Sequence, residues 1–438
     1  MLPASTASQK HSVARVIGAS LAGTSLEWYD HAIYGSAAVL IFPKVFFPQS
    51  DPLTGTLLSM TTYGVGFLSR PLGGLIFGHY GDRIGRKSVL IITLLLMGCA
   101  TFLIGLLPTY ATLGISAAII LSVLRLLQGV ALGGEWGGAS LMVNEINPGD
   151  HRRGLYGSLV QVASPIGYLL AYGTSALVAW LVAPDAFLDW GWRIPFLASG
   201  ILILVGYYIR RSITESPLFE EIERRRATAE APIAEVIQVH WRKVLIAIGS
   251  RIGSDIVFYV FSVFLLVYLR LKLGLDTSSL GFAALLCAST AQLVGIPLFG
   301  NLSDYFGRRP ILIFGGVSCI VWCLVFFPLV DTKNTTLILT ATFVGMFFHG
   351  AMWGPLSSYI PEMFPTRVRY TGASLGFQGA SVFGGALAPI IATWLLGKYQ
   401  AAWPIQIYVV AALLLLVFCV SLATETAHKK LQAGTDAG

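Results

Sequence analysis

Several ionisable residues stand inside long apolar runs of this chain, among them Glu27, Asp30, Arg125, Arg251 and Asp255. An unpaired charge at the centre of a hydrocarbon layer costs at least about 2.5 to 3.5 kcal/mol, so each must face a partner or a polar cavity. In such a setting a carboxylate can take up and release a proton, and a guanidinium can hold an anion. These residues are therefore the first candidates for chemistry.

Glu27 and Asp30 are three residues apart, so they share one helix face with Tyr34. At 1.5 Å per residue, Asp30 and Arg125 fall at comparable depths in their runs, and we expect an ion pair between them. A carboxylate beside a guanidinium stays ionised, and it takes up a proton when the arginine is drawn away. We predict that Asp30 carries this proton, with Glu27 and then Glu135 as further proton-coupling candidates.

Each of these carboxylates has an alternative interpretation as a permanently paired structural charge. For Glu135 that alternative is strengthened by a ladder of small residues, Gly129, Gly133 and Gly137, which suits the close approach of another helix. The Glu135 carboxylate could then simply bond across that seam.

Arg251 and Asp255 are four residues apart, which predicts an ion pair within one helix. If an anionic ligand displaced Asp255, Arg251 would become an anchor for the ligand's carboxylate. His349 stands alone, and a lone histidine is more typical of packing than of chemistry. Arg70 lies about 12 Å from one end of its run, which indicates a place near an entrance rather than in a binding site.

The composition predicts that most of the surface faces lipid. Of 438 residues, 55% are hydrophobic and only 12% charged, and the mean hydropathy is +0.72. About 20 apolar residues in a helix cross a hydrocarbon layer roughly 30 Å thick, so we expect an all-α integral membrane protein. Twelve such runs are present, at 15–40, 55–78, 88–108, 114–144, 154–183, 193–211, 244–270, 279–300, 310–330, 337–360, 371–396 and 403–424.

A charged, glycine-containing decapeptide occurs twice, as GHYGDRIGRK at 78–87 and as GNLSDYFGRR at 300–309. A repeat at half the chain length indicates that one multi-helix unit was copied, and it predicts a functional site between the copies. We therefore divide the chain into an amino-terminal six-helix bundle at 1–211, a linker at 212–243 and a carboxyl-terminal bundle at 244–438.

The basic residues predict the orientation in the membrane. Twenty of the 29 Lys and Arg fall in the two termini and the loops after every second run, and only six lie on the opposite side. This asymmetry places both termini in the cytoplasm. The net charge of +7 is then a topology signal for the lipid bilayer, and no nucleic-acid partner is expected.

The sequence gives little support for an enzyme. No H-E-x-x-H, G-x-S-x-G, P-loop or dinucleotide fingerprint is present, and none of the five cysteines has metal-ligand spacing. We therefore expect no cofactor and no metal. A cleavable signal peptide is also not expected, because the first apolar run contains Glu27 and Asp30.

The two decapeptides resemble the loop signature of the major facilitator superfamily, G-x-x-x-D-[RK]-x-G-R-[RK]. RLLQG at 125–129 and PEMFPTRVRYTG at 361–372, echoed by NEINPGDHRRG at 144–154, strengthen the resemblance. It implies twelve transmembrane helices in two pseudo-symmetric six-helix bundles that work by alternating access.

The same resemblance implies that charged residues latch the cytoplasmic side closed in one state. The alternative is that these charges merely mark cytoplasmic loops. The gating candidates are Asp82, Arg83, Arg86, Arg152, Arg153, Asp304, Arg308, Glu362 and Arg367.

The resemblance also implies a central cavity lined by helices 1, 4, 5, 7, 10 and 11. An aromatic and amide wall there would suit a ring or a short hydroxylated carbon skeleton. With Arg125, Arg251 and Asp255, the substrate-binding candidates are Trp28, Tyr34, Trp136, Gln161, Tyr168, Phe258, Tyr259, Trp353 and Gln378.

More narrowly, the chain resembles the metabolite:proton symporter family, which includes bacterial carriers of shikimate, 2-oxoglutarate, citrate, proline and betaine. One departure is His31, where these carriers usually have an aromatic residue. The residues that carry the resemblance are EWYD at 27–30, SRPLGG at 69–74, GGEWGGA at 133–139, WGWRIPF at 190–196 and ESPLFE at 215–220.

The resemblance implies a monomeric carrier in the bacterial cytoplasmic membrane that imports a small organic acid by proton symport. Three arginines inside the runs favour an anion over a zwitterion. Two alternatives remain, a proton-coupled proline or betaine symporter and a transporter-like nutrient sensor. The short carboxyl-terminal tail argues against the first, because osmolyte carriers often have a longer one.

Overall fold

The computed structural model describes residues 6–84, 86–133, 152–211, 232–275, 277, 279–365 and 368–427. In this part of the chain we number twelve long helical segments α1 to α12. They are α1 Thr6–Leu40, α2 Pro52–Leu68 continued by Arg70–Ile84, α3 Arg86–Leu106, α4 Ile115–Gly133, α5 Arg153–Gln161 continued by Ala163–Leu181, α6 Arg193–Arg211, α7 Trp241–Phe261 continued by Val263–Leu271, α8 Leu280–Phe306, α9 Arg308–Asp331, α10 Thr335–Glu362, α11 Arg369–Ser381 continued through a π-helical stretch Val382–Ala386 into Leu387–Tyr399, and α12 Trp403–Leu422.

Within the described residues, eight helical spans are long and apolar enough to cross a membrane, namely α4, α5 and α7 to α12. A bent pair, Pro184–Gly191 with Arg193–Tyr208, would make a ninth, with an angle of 47° between its two parts. Segment α3 contains a shorter apolar helix, Ile91–Leu106. The all-helical, multi-span architecture predicted from the sequence is confirmed.

Local sequence signals set several helix starts. Asp51 accepts hydrogen bonds of 3.1 Å from the backbone N–H groups of Leu53 and Thr54, and Pro52 occupies the first turn of α2. Asn334 caps α10 in the same way, accepting from Thr336 at 2.9 Å. Such caps satisfy N–H groups that have no partner inside the helix.

Most helices extend beyond their apolar runs, because the helix continues where the chain leaves the hydrocarbon layer. Segment α8 reaches Phe306, six residues beyond the predicted end at 300. The second decapeptide is therefore mostly helical rather than a loop. Its turn is reduced to Gly307, whose φ of 98° is readily adopted only by glycine.

Helices α1 to α6 and α7 to α12 pack as two bundles. In the first, α1 packs on α5 and α6, α3 on α4 and α6, and α2 on α4. In the second, α10 packs on α8 and α9, and α7 on α11 and α12. The two bundles meet where α5 contacts α8 and α10, and where α2 contacts α11.

Small residues let α4 and α2 approach closely, as the predicted ladder of glycines implies. A Cβ atom at Gly133 would meet the Arg70 carbonyl oxygen and lie 2.8 Å from the Gly74 nitrogen. At Gly129 it would meet the carbonyl oxygen of Gly66. The third member, Gly137, lies outside the described residues.

Four helices are interrupted along their length, and in α5 the interruption is at Val162. Helix α2 breaks at Ser69, whose hydroxyl donates to the Gly66 and Leu126 carbonyls at 3.0 Å. Helix α7 breaks at Ser262, and α11 contains its π-helical stretch from Val382 to Ala386. The α2 interruption comes directly before Arg70.

Candidate functional site

The side chain of His31 lies at the centre of the molecule and contacts both bundles. Its Nε2 atom is 2.7 Å from the hydroxyl of Tyr63 on α2 and 3.0 Å from that of Tyr259 on α7. Its Nδ1 atom is 3.2 Å from a nitrogen of Arg125 and 3.4 Å from one of Arg70. We call these five residues the central cluster, and all of them are buried.

Arg125 is held by aromatic faces as well as by hydrogen bonds. Its guanidinium carbon lies 4.2 Å from the ring centre of Tyr34 and 4.9 Å from that of Tyr63. Desolvated contacts of this kind stabilise a cation. Arg125 also donates to the side-chain oxygen of Gln128 at 3.1 Å.

The predicted ion pair between Asp30 and Arg125 is wrong, because two side chains on α3 and α4 intervene. Arg125 donates to Gln128, and Gln128 donates to the Thr101 hydroxyl at 2.6 Å. A side-chain hydrogen bond then joins Thr101 to Asp30, which remains within electrostatic range of Arg125. Asp30 and Arg125 are therefore connected through a relay of two polar side chains.

The expectation that Arg70 lies near an entrance is also wrong. Its guanidinium reaches His31 in the centre and lies 4.2 Å from the ring centre of Phe67. The long side chain of Arg70 carries the guanidinium to His31, away from the position of its own backbone. Counting residues along a straight helix therefore gave the wrong position for the Arg70 guanidinium.

Arg251 and Asp255 form the predicted pair within α7, with a nitrogen–oxygen distance of 3.2 Å. The Arg251 guanidinium also donates to the backbone carbonyl of Phe377 and lies over that residue's ring, 3.3 Å from its centre. Trp353 stands beside it, 5.4 Å away. This pair lies in the second bundle, opposite the arginines of the first.

Aromatic side chains from both bundles close around the centre. Trp28 lies edge-on to Tyr168 at 5.5 Å and to Trp353 at 6.1 Å. Tyr168 stacks on Phe258 at 5.2 Å, across the boundary between the bundles. Four of the predicted wall residues therefore meet at one place.

The other predicted residues divide into three groups. Gln161 and Gln378 are buried, and Glu27 is buried on the α1 face that also carries Asp30. His349 is hydrogen-bonded to Ser254 at 3.0 Å and to Gln292 at 2.8 Å, so it belongs to a buried polar network. Glu135 and Trp136 lie outside the described residues.

Several buried side-chain polar atoms of the described residues lack a hydrogen-bond partner, and those in the centre are mostly N–H donors. Buried polar groups are normally satisfied, so an excess of donors indicates a site for a ligand rich in acceptors. The central donors are Arg70 Nε, Arg125 Nε, Arg251 Nε, Gln161 Nε2 and Trp353 Nε1.

At one end of the molecule, which we call the gate end, the bundles are joined by charged groups of the predicted gate. Asp304 accepts from the backbone N–H groups of Gly154 at 2.8 Å and Leu155 at 2.9 Å, across the boundary. The carboxylate thereby caps the amino terminus of α5, where the helix dipole favours negative charge. Arg308 is fully buried and binds the same carboxylate at 2.8 Å.

Glu362 completes this network. Its carboxylate lies 3.4 Å from Arg308 and 3.6 Å from Arg153, which belongs to the first bundle. The chain after α12 also enters the network, because Thr426 donates to Glu362 at 2.6 Å and Arg153 donates to the Ala427 carbonyl at 3.0 Å. We call Arg153, Asp304, Arg308 and Glu362 the gate network.

The rest of the predicted gate is only partly visible. Arg152 precedes α5 and is exposed. Arg367 and the side chains of Asp82, Arg83 and Arg86 lie outside the described part of the chain.

The opposite end is also closed. Arg270 on α7 donates to the Val39 carbonyl on α1 at 3.0 Å. Helices α2 and α11 are in close contact, and a Cβ atom at Gly397 would lie 2.6 Å from Leu53. With contacts between the bundles at both ends and at the centre, the described residues have an occluded arrangement.

Sequence reasoning missed Thr101, Gln128 and Tyr63 as site residues. Gln128 lies three residues after Arg125 in the RLLQG segment, and that spacing was an available signal. Thr101 and Tyr63 stand in apolar runs with no distinguishing pattern.

Comparison with known proteins gives two family matches. Residues 16–239 match the family described as Sugar (and other) transporter, and residues 247–437 match the Major Facilitator Superfamily.

Several curated bacterial proteins are similar over nearly the whole chain. The inner membrane metabolite transport protein YhjE of Escherichia coli is 39% identical over 422 residues, covering 95% of both chains. The shikimate transporter of Escherichia coli is 38% identical, covering 90% of this chain and 91% of its own. The proline/betaine transporter of Escherichia coli is 35% identical, covering 97% and 86%.

Among solved structures, the proton:xylose symporter XylE bound to 6-bromo-6-deoxy-D-glucose superposes with a TM-score of 0.76. It is 18% identical in sequence, and the match covers 97% of this chain and 98% of that one. At this identity the likeness concerns the fold alone.

Proposed function

The chain belongs to the major facilitator superfamily of membrane transporters, and from that premise we propose that it imports a small organic acid together with protons. The transport takes place by alternating access around the central cluster. Relatives that transport metabolites, shikimate or proline and betaine support the general class.

The positive charge of the buried central arginines is the observation that favours an anionic substrate. Arg70, Arg125 and Arg251 are all buried. Of these three, only Arg251 has a carboxylate of the described residues within 4.0 Å, that of Asp255. Buried guanidiniums without carboxylate partners are costly, and a bound carboxylate would offset that cost. A hydroxylated or aromatic carbon skeleton would suit the surrounding rings.

Proton coupling follows from the relay between Asp30 and Arg125. An ionised Asp30 compensates part of the arginine charge, and a proton on Asp30 leaves that charge to be neutralised by the substrate. Proton and anion then favour each other's binding, and this linkage is reciprocal. Glu27 and Glu135 are the further candidates for this role.

The gate network would form the cytoplasmic latch of this cycle. Its ion pairs and the cap on α5 join the two bundles, so they must separate before the site opens to that side. The gating roles of Asp82, Arg83, Arg86, Arg152 and Arg367 belong to the same proposal. We also propose a monomer in the bacterial cytoplasmic membrane with both termini in the cytoplasm.

The test is uptake into proteoliposomes with an imposed inward proton gradient. Shikimate, 4-hydroxybenzoate, 2-oxoglutarate, citrate, proline and betaine are compared as radiolabelled substrates. Concentrative uptake of one of the acids, abolished by dissipating the gradient, supports the proposal. Uptake of proline or betaine alone would replace it with an osmolyte symporter, and saturable binding without uptake would replace it with a sensor.

A further inference from the structure

The protonation of His31 is fixed by its neighbours. Both groups that face Nδ1 are guanidiniums, at 3.4 Å from Arg70 and 3.2 Å from Arg125. A guanidinium only donates hydrogen bonds, so Nδ1 must carry a lone pair. The imidazole is therefore neutral, with its proton on Nε2 facing the hydroxyls of Tyr63 and Tyr259.

The single lone pair of His31 Nδ1 faces two guanidiniums, so donors outnumber acceptors at this position. The Nε atoms of Arg70 and Arg125 are buried and have no hydrogen-bond partner. Neither arginine has a carboxylate within 4.0 Å among the described residues, where the ion pairs of the centre involve Arg251 alone. A carboxylate has two oxygens and about four lone-pair directions. It would therefore accept hydrogen bonds from both guanidiniums far better than one imidazole nitrogen can.

Aromatic rings hold the two guanidiniums in place around this position. The ring of Phe67 lies 4.2 Å from the Arg70 guanidinium, and the ring of Tyr34 lies 4.2 Å from that of Arg125. The His31 ring is edge-on to Phe67 at 5.2 Å. The two cations thus converge on one position, and His31 Nδ1 is the acceptor that they share among the described residues.

We propose that His31 Nδ1 occupies the position of the substrate's carboxylate between Arg70 and Arg125, and that a bound organic anion displaces the imidazole. His31 is then an internal competitor that limits how tightly the anion is held. This inference rests on the proposed function in one respect, that the ligand is an organic anion.

Displacement of His31 would also act on the boundary between the bundles. His31 belongs to α1 and Tyr259 to α7, and their hydrogen bond of 3.0 Å spans the two bundles at the level of the site. When the anion takes both guanidiniums and the ring moves, this bond is lost. Substrate binding would thereby loosen the occluded arrangement from its centre.

The test compares two substitutions that differ in the acceptor. His31→Phe keeps a ring against Tyr63 and Phe67 but has no acceptor, whereas His31→Gln retains a neutral one. We would measure dissociation constants of the purified variants by isothermal titration with 4-hydroxybenzoate, shikimate and 2-oxoglutarate, each against its methyl ester. His31→Leu, which also removes the acceptor, serves as the second acceptor-free variant.

We expect His31→Phe and His31→Leu to bind the best acid about tenfold more tightly than the wild type, and His31→Gln to stay within about threefold of it. The esters should show no such gain. Unchanged or weaker acid binding by both acceptor-free variants, as folded monodisperse proteins, would overturn the inference.

The two proposals fail in different ways. If the wild type takes up none of the acids, the proposed function is wrong. If the wild type takes up an acid and the acceptor-free variants do not bind it more tightly, the role of His31 alone is wrong.

Discussion

At the scale of single residues, two of the central cations, Arg70 and Arg125, are held by neutral partners. Arg125 is bound by His31, Gln128 and the faces of two tyrosines, and its connection to Asp30 runs through Thr101. The Thr101 hydroxyl also donates to the Met97 carbonyl at 3.0 Å, so its single proton can serve either Met97 or Asp30. An ionised Asp30 would therefore compete with the Met97 carbonyl for this proton.

Removing the Thr101 hydroxyl should weaken proton coupling without destroying the substrate site. In Thr101→Val we expect proton-driven accumulation to fall about fivefold to tenfold, since one hydrogen bond to a charged group is lost. Exchange of external for preloaded substrate should persist, because it requires no net proton movement. Both are measured as radiolabelled flux in proteoliposomes.

Thr340→Val is the matched control. Thr340 lies exposed on α10 and bonds only the Thr336 carbonyl, at 2.8 Å, so its substitution should leave both fluxes unchanged. Equal losses of accumulation and exchange in Thr101→Val would argue against a coupling role for the relay.

The sequence indicated most of the charged residues of the centre, but it misplaced Arg70 and did not give their connections. Spacing of four residues predicted the Arg251–Asp255 pair, because both lie on one helix whose geometry is fixed. Asp30 and Arg125 lie on different helices, and depth along each helix says nothing about rotation around it. The side chains that fill the gap, Thr101 and Gln128, depend on how α3 and α4 pack.

At the scale of helices, the gate end combines charge with close packing. A Cβ atom at Gly154 would lie 2.6 Å from the Gly300 carbonyl oxygen and from Ser303 Oγ, and it would meet the Arg308 guanidinium. Only glycine lets the start of α5 approach α8 so closely. The same contact positions the two backbone N–H groups that Asp304 accepts.

Gly154→Ala should therefore open the gate end. We expect a longer distance between spin labels placed on α5 and α8 near this end, measured by double electron–electron resonance, and a lower rate of substrate exchange. The change should lower the closed population severalfold, since overpacking typically costs about 1 to 3 kcal/mol.

Gly173→Ala on the same helix provides the control. No atom lies within 4 Å of a Cβ atom at Gly173, so neither the distance nor the exchange rate should change. Identical distance distributions in Gly154→Ala and the wild type would show that this contact does not hold the gate end closed.

Glu425 joins the segment after α12 to the start of α9. Its carboxylate accepts from the backbone N–H groups of Arg308 at 2.9 Å and Arg309 at 3.1 Å. Burial alone would raise the pKa of Glu425, but hydrogen bonds from the N–H groups of Ala427, Arg308, Arg309 and Thr426 lower it below its ordinary value. The ionised form is thus the one that caps α9.

Glu425→Gln should lower the apparent melting temperature by about 1 °C or less near pH 7, since a partly exposed cap contributes about 0.5 to 1 kcal/mol and the unfolding entropy of so long a chain is large. The folded-state pKa lies below the unfolded one, so this stabilisation is present above the unfolded value of about 4.3 and is lost as the pH falls through the folded value. Differential scanning fluorimetry of both proteins between pH 7 and pH 3 measures the difference. A difference that stays constant or grows toward pH 3 would contradict the capping role.

At the scale of the whole molecule, two bundles of six helices enclose the site and close it at both ends. Composition and the repeated decapeptide predicted the helices and the duplication, because long apolar runs have few alternatives in lipid. The occluded arrangement was not predictable in this way. It depends on side-chain contacts between α1 and α7, α2 and α11, and α5 and α8, which no periodicity records.

Proton and substrate should move together if this account is correct. Proteoliposomes loaded with a pH-sensitive dye would report proton entry, while radiolabelled acid from the uptake panel reports substrate entry in the same preparation, without an imposed gradient. For the wild type we predict that an inward substrate gradient drives proton entry, and that Asp30→Asn abolishes it while substrate exchange continues. The same change on the α9 surface, Asp331→Asn, should leave both fluxes intact. Substrate entry in the wild type with no accompanying proton, or undiminished proton entry in Asp30→Asn, would contradict coupling through Asp30.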